Sequence, residues 1–393
     1  MRARPLAVAI LALALILRLG LALAYDPPRP INDAVEYELH ATALADFHSF
    51  FTSQIAPGPS AYRPPGYPMA LAAFYELFGQ GEDSPRVFGA LVGTIAVGLL
   101  GLIGLWLFGA RAALVAMALA ALFPPLIMVS LATLTEGLFI ALMLGSLAAA
   151  LAYRHDERLI WVVTAGALAG AAALTRTNGL VLLVPLLLVV PRRRLVLLAA
   201  AVLVLLPWTI RNTTTFDTFV PTTTQTGFTL SGAYNDEARG DDRFPAAWRP
   251  PTMAPYDRIL RDKEGKDEAD LDREFRSEAL SFAADHPLYV PRVVFWATVR
   301  MLNLADPELE ELSGLEAGVH SGWVKLNRYS TWLLLALAVA GAVLARPPPW
   351  FWLFPLLLWL SVAIAIGATR YRTPIDPFLI LLAAGALTSW RRA

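Results

Sequence analysis

The strongest constraint on this chain is a succession of apolar runs, each about as long as a bilayer core is thick. A helix rises 1.5 Å per residue, so roughly 20 apolar residues cross ~30 Å of hydrocarbon. Counting such runs predicts about ten spans. They lie at 5–24, 86–108, 112–129, 133–153, 159–175, 178–191, 195–210, 326–345, 350–367 and 374–390. The chain therefore reads as an all-α integral membrane protein. Its composition agrees: 56% of the 393 residues are hydrophobic and 16% charged, against about 25% charged in soluble domains. Met1-Arg2-Ala3-Arg4 before the first run resembles a signal peptide. The run is long enough to span, and no small-residue cleavage site follows it, so it is read as an uncleaved first span.

Several function classes fall away. A net charge of +0 gives no bulk attraction to nucleic acid. The absence of Cys excludes disulfides, thiolate metal sites and thiol catalysis. The five His are scattered, with no paired ligand spacing. No cofactor is called for, and no metal-ligand cluster is apparent.

Orientation follows from arginine placement. Arg2, Arg4, Arg111, Arg154, Arg158, Arg192–Arg194, Arg346 and Arg391–Arg392 all fall on one face if both termini are cytoplasmic, as the positive-inside rule requires. The opposite face then carries two long loops, 25–85 and 211–325. In the first, the apolar segment 69–79 is too short to span and reads as interfacial. In the second, 211–265 is irregular, 266–286 has helical apolar spacing, and 288–304 reads as an interfacial helix.

Charges at the ends of spans are costly and so mark candidate sites. Asp33, with Glu36 and Tyr37, follows the first span; Asp33 and Glu36 are also spaced as a capping box. Arg63 heads Arg-Pro-Pro-Gly-Tyr-Pro, whose prolines stiffen the loop. Glu136 opens the fourth span. Arg176 sits in a short break against the charge trend, so a lipid phosphate or Glu136 is its expected partner. Arg211, after Trp208, reads as an interface anchor. Arg370-Tyr371-Arg372 again runs against the trend and suits a phosphate with a sugar ring. Carboxylates and arginines from distant loops thus meet at one face. A carboxylate there can take a proton from an acceptor, and arginines can hold charge on a departing phosphate. No Gly-rich nucleotide loop is visible, so an activated lipid is the expected donor.

Taken in order, these pieces resemble a known family. They are Asp33-x-x-x-Tyr37, Arg63-Pro-Pro-Gly-Tyr-Pro, Phe78-Gly79 with Pro85-Arg86, Leu134-Thr135-Glu136, Leu174-Thr175-Arg176, Pro207-Trp208-x-x-Arg211-Asn212 and Arg370-Tyr371-Arg372-x-Pro374. The chain resembles the GT-C glycosyltransferases of family 39 and relatives, among them dolichyl-phosphate-mannose protein mannosyltransferases and the aminoarabinose transferases that modify lipid A. The resemblance implies inverting transfer of a sugar from a polyprenyl-phosphate-linked donor to an acceptor hydroxyl on the non-cytoplasmic face. The acceptor would be a glycan, lipid or protein. The first-loop acid would be the base, which maps onto Asp33. Many relatives have Asp-Glu where this chain has Asn32-Asp33, so Glu36 stands as the alternative. Donor phosphate and sugar contacts would fall to Arg63, Tyr67, Glu136, Arg176, Arg370, Tyr371 and Arg372. A transporter or flippase of a lipid-linked saccharide, and a glycan ligase or polymerase, are the competing readings. Polar residues gathered at one face rather than at mid-span favour the transferase.

Overall fold

A computed structural model describes residues 3–28, 31–49, 56, 58–250 and 256–389. Arg2, Arg391 and Arg392, used above for orientation, and the last residue of the final expected span lie outside the described residues.

Helices dominate. The first is α1 (Ala3–Ala24), followed by α2 (Asp33–Phe47) and α3 (Gly66–Phe78) in the first long loop. Then come α4 (Ser84–Phe108), α5 (Ala110–Leu122), α6 (Pro124–Leu131), α7 (Thr135–Asp156) and α8 (Leu159–Thr175). A 3₁₀ turn, Thr177–Leu182, leads into α9 (Leu183–Val189) and α10 (Arg194–Thr215). The second long loop carries α11 (Thr226–Ala233), α12 (Asp236–Gly240), α13 (Asp257–Arg261), α14 (Glu268–Asp285), α15 (Tyr289–Met301) and α16 (Pro307–Glu316). The chain closes with α17 (Ser321–Leu344), α18 (Leu353–Ala363), a 3₁₀ turn at Thr369–Arg372, and α19 (Asp376–Ser389).

Among the described residues, five helices are long and apolar enough to cross a membrane: α1, α4, α7, α10 and α17. A sixth candidate is the bent pair α5–α6. The remaining expected spans appear as shorter apolar helices at 159–175, 177–189, 349–363 and 376–389. The run 112–129, expected as one span, breaks at Phe123 and bends by 58°. Pro124 and Pro125 are the cause, since they lack the N–H groups that would bond Ala120 and Ala121. Segment 288–304 forms the 13-residue α15, shorter than a single crossing needs.

The centre of the bundle is α7, most of which is buried, whereas α1 is largely exposed. α7 packs on α8 and α4, α10 on α8, and α17 on α19. Large side chains left exposed on the outer helices, such as Ile16, Ile95, Leu203 and Val339, are what a lipid-facing surface requires. α7 leaves the region around Glu136 and α8 returns to it at Arg176. At 22 residues, α7 covers about 33 Å. Arg154 and Arg158 at the α7–α8 turn are therefore one bilayer thickness from Glu136.

Two glycines set the close approaches that shape the site. A Cβ on Gly66 would lie 2.7 Å from Thr175 Oγ1 and 2.9 Å from the Leu174 backbone. Only glycine lets the start of α3 rest on the end of α8, which sets Arg63 beside Arg176. A Cβ on Gly367 would lie 2.1 Å from Ala297 Cα, so the strand-like stretch before Arg370 lies directly on α15.

Candidate active site

The loop before α3 is anchored from the second long loop. Buried Glu268, at the start of α14, accepts hydrogen bonds from Ser60 Oγ (2.9 Å), the Ala61 N–H (2.7 Å) and Thr224 Oγ1 (2.7 Å). Arg211 donates to the Ser60 carbonyl at 2.9 Å and lies 4.9 Å over the Trp208 ring. Arg211 thus braces the loop and does not itself reach the cavity described below.

Held this way, Arg63 turns inward and is buried. Its Nη2 donates to Asp33 Oδ1 at 2.7 Å, and its Nε donates to Glu36 Oε2. The guanidinium sits over Tyr62 (4.9 Å) and Tyr37 (5.3 Å), gaining cation–π attraction in a desolvated place. Asp33 is the first residue of α2; the N-cap position belongs to Asn32, which makes no side-chain cap bond. The capping-box geometry expected for Asp33 and Glu36 is therefore not formed, because both carboxylates are given to arginine. Asn32 has φ 51° and donates from its amide to Glu316 Oε1 at 2.8 Å.

The other oxygen of Asp33, Oδ2, accepts from Arg370 Nη2, which also donates to Tyr371 Oη at 2.9 Å. Burial alone would push the Asp33 carboxyl up. The guanidiniums of Arg63 and Arg370 outweigh it and hold Asp33 well below the usual carboxylate range. Nearby His40 is pushed down to about 4 by burial and by Arg63, so it is neutral at pH 7. The Tyr37 phenol is pushed up to about 12, chiefly by burial.

A second pair lies alongside. Glu136, 1% exposed at the start of α7, meets Arg176 Nη1 at 2.7 Å, and the same nitrogen donates to Thr135 Oγ1 at 2.8 Å. Arg176 and Arg370 face the same ring, Tyr371, at 5.2 and 4.9 Å. Each has an Nε that is buried without a hydrogen-bond partner.

These groups border a cavity of about 1050 Å³. Asp33, Glu36, Arg63, Glu136, Arg176, Arg370 and Tyr371 all line it, so seven of the residues singled out in the sequence come together. Tyr67 and Arg372 do not line it. Tyr67 is buried behind the site, edge-on to Tyr37 at 5.7 Å. Arg372 points away into a buried brace, donating to Asp376, Asn303, Thr331 and the Met301 carbonyl. One wall of the cavity is apolar, made by Leu357, Leu360, Val362, Ile364 and Ile366. Another is rich in neutral hydroxyls and amides, including Thr223, Gln225 and Thr229.

Three further acids line the cavity that the sequence reading did not single out: Asp306, Glu310 and Glu316. Asp306 is engaged by Arg300, Glu310 by Arg328, and Glu316 by Arg370 at 3.6 Å. All three belong to or border α16, in a stretch whose only signal was its charge. Among the described residues, no three His, Asp or Glu gather as a metal-ligand group.

Comparison with known proteins agrees with this architecture. Residues 62–211 match the family model described as dolichyl-phosphate-mannose-protein mannosyltransferase. The archaeal oligosaccharyltransferase AglB from Archaeoglobus fulgidus, solved in complex with an inhibitory peptide and a dolichol-phosphate, aligns over 97% of this chain. The TM-score is 0.55 and the identity 14%. The apo form of the Archaeoglobus fulgidus enzyme aligns over 98%, with TM-score 0.58 and 14% identity. This chain spans about half the length of those proteins, covering 50% of each. ArnT from Cupriavidus metallidurans bound to undecaprenyl phosphate aligns over 97% of this chain and 77% of its own, with TM-score 0.43 and 18% identity. No curated protein matches the chain. The chain shares the fold of the Archaeoglobus fulgidus oligosaccharyltransferase structures. The stretch from the Arg63 loop to Arg211 is similar to the mannosyltransferase family.

Proposed function

We propose that this protein is a membrane glycosyltransferase. It moves a sugar from a polyprenyl-phosphate-linked donor to an acceptor hydroxyl, with inversion at the anomeric carbon and Asp33 as the general base. The observation that carries this reading is the convergence of Asp33, Arg63, Glu136, Arg176 and Arg370 on one cavity that also has an apolar wall. An anionic headgroup with a hydrocarbon tail needs both. The dolichol-phosphate bound to the AglB neighbour supports the same donor class.

In this reading the lipid phosphate sits between Arg176 and Arg370, whose unpartnered Nε groups and shared stacking on Tyr371 leave donors for its oxygens. The apolar wall beside α18 takes the first isoprene units. The acceptor hydroxyl approaches Asp33, 21% of whose side chain is open. The oxygen attacks the anomeric carbon, the bond to the phosphate oxygen breaks, and the hydroxyl proton passes to Asp33. Charge growing on the leaving phosphate is met by the two guanidiniums. Glu36 holds Arg63 and so acts by positioning. The proposal includes about ten spans by length and hydropathy, cytoplasmic termini, and the site on the extracytoplasmic face within the two long loops, 25–85 and 211–325.

The test is Asp33→Asn in the purified full chain. Transfer from the lipid donor should fall by about 10²-fold or more, while binding of undecaprenyl phosphate persists. Transfer at the parental rate would remove Asp33 as the base. Unmodified protein that moves the lipid-linked sugar between leaflets without transferring it would favour the flippase.

A further inference from the structure

Asp33 is the group required to accept a proton, yet both its oxygens are already occupied by guanidinium N–H groups. A carboxylate so held is a poor base. The two clamps are not equivalent. Arg63 is fixed from four sides, by Asp33, Glu36 and the rings of Tyr37 and Tyr62, on a loop stiffened by Pro64 and Pro65. Arg370 is held less completely. Its Nη2 serves Asp33 and Tyr371, while its Nε is buried without a hydrogen-bond partner and lies 3.6 Å from Glu316. It also faces the same ring as Arg176, whose Nε is likewise unpartnered. A guanidinium with an idle donor, shared between a carboxylate and the cavity it lines, is set up to change partners.

We propose that Arg370 is exchanged between Asp33 and the phosphate of the incoming donor, so that donor binding releases Asp33 to act as the base. The inference rests on the lipid-phosphate donor reading above. It makes the reaction ordered: the acceptor cannot be deprotonated productively until the donor is in place. It also supplies a reset. Transfer leaves the lipid phosphate with one more negative charge, which holds Arg370 while Asp33 carries the acceptor's proton. When the lipid phosphate departs, Arg370 returns to Asp33 and the proton is lost to water. The other charged and titratable groups around Asp33 are Glu36, Tyr37 and His40 on α2, Tyr62 beside Arg63, Glu136 and Arg176, Tyr371, and Glu316 at the end of α16. Glu36 and Glu136 keep arginine contacts of their own, to Arg63 and Arg176; Glu316 shares Arg370 with Asp33 only at 3.6 Å and without a hydrogen bond, so the exchange falls chiefly on Asp33.

Infrared difference spectroscopy of the full chain in lipid nanodiscs tests this. The protonated-carboxyl band of Asp33, assigned by its loss in Asp33→Asn, is titrated with pH with and without undecaprenyl phosphate. The expected result is a midpoint raised by about one unit or more when the lipid binds, a tenfold gain in basicity. Arg370→Gln should show a raised midpoint without ligand and no further shift with it, and should bind the lipid more weakly. The wild-type titration stands on its own if that variant fails to fold. Inorganic phosphate runs in parallel. An equal shift with it shows that the anion alone drives the exchange, and a shift with the lipid alone shows that the tail must seat the phosphate. Undecaprenyl phosphate that binds without moving the Asp33 midpoint overturns the exchange. Failure of the lipid to bind at all overturns the donor reading, and the exchange with it.

Discussion

Glu136 and Arg176 show how single residues set this site. A carboxylate 1% exposed is tolerable because a guanidinium lies 2.7 Å away; removing one partner of such a pair costs about 3–5 kcal/mol. Arg176→Gln should therefore lower both thermal stability and lipid-phosphate binding. Adding Glu136→Gln should recover much of the stability but none of the binding, as measured by a thermal-shift double-mutant cycle alongside a binding titration. Recovery of binding in the double variant would make Arg176 purely structural. Both residues were legible as charges beside hydrocarbon, and their mutual pairing was one of the two partners weighed for Arg176. Arg370 and Arg372 were equally legible, yet only Arg370 reaches the cavity. The 3₁₀ turn decides this: with three residues per turn, positions two apart point about 120° from each other.

At the scale of elements, the break between α5 and α6 is stabilised from outside. Pro124 and Pro125 take away the donors for the Ala120 and Ala121 carbonyls. Arg18, buried within α1, supplies them instead, donating to Ala120 O at 3.1 Å, Ala121 O at 3.2 Å and Ser130 Oγ at 3.2 Å. Its charge inside an apolar run was a signal the sequence reading passed over. Arg18→Met orphans these acceptors in a dry environment, at about 1–3 kcal/mol for each. We expect a clearly lowered thermal midpoint in detergent, with Arg18→Lys intermediate; an unchanged midpoint would show that the break holds itself. The consequence for the site is direct, because α6 leads into Thr135 and Glu136. The sequence showed the prolines but read through them as one span, since mean hydropathy does not register a missing N–H.

At the scale of the whole molecule, the two long loops fold onto each other and onto one end of the bundle. Glu268 ties α14 to the Ser60–Ala61 turn, and Asn32 ties α2 to α16 through Glu316. The orientation proposed for this arrangement can be read cleanly because the chain contains no Cys. A membrane-impermeant thiol reagent added outside intact cells should label Gly240→Cys and leave Arg158→Cys unlabelled. The reverse pattern would invert the topology.

The sequence by itself determined the class of the molecule. Span-length apolar runs and charges parked at span ends follow from the cost of moving polar groups into hydrocarbon, and that cost is local to each segment. Without any tertiary information the sequence singled out Asp33, Glu36, Arg63, Glu136, Arg176, Arg370 and Tyr371, which line one cavity, along with Tyr67 and Arg372, which do not. The tertiary structure decided which charges meet. Asp33 and Arg370 are 337 positions apart, and no local rule distinguishes a guanidinium that will clamp Asp33 from one, like Arg372, that will brace a helix. Which charges meet depends on close approaches at Gly66 and Gly367 and on the broken helix held by Arg18. These are properties of packing between distant segments, and they turn a set of costly charges into one cavity.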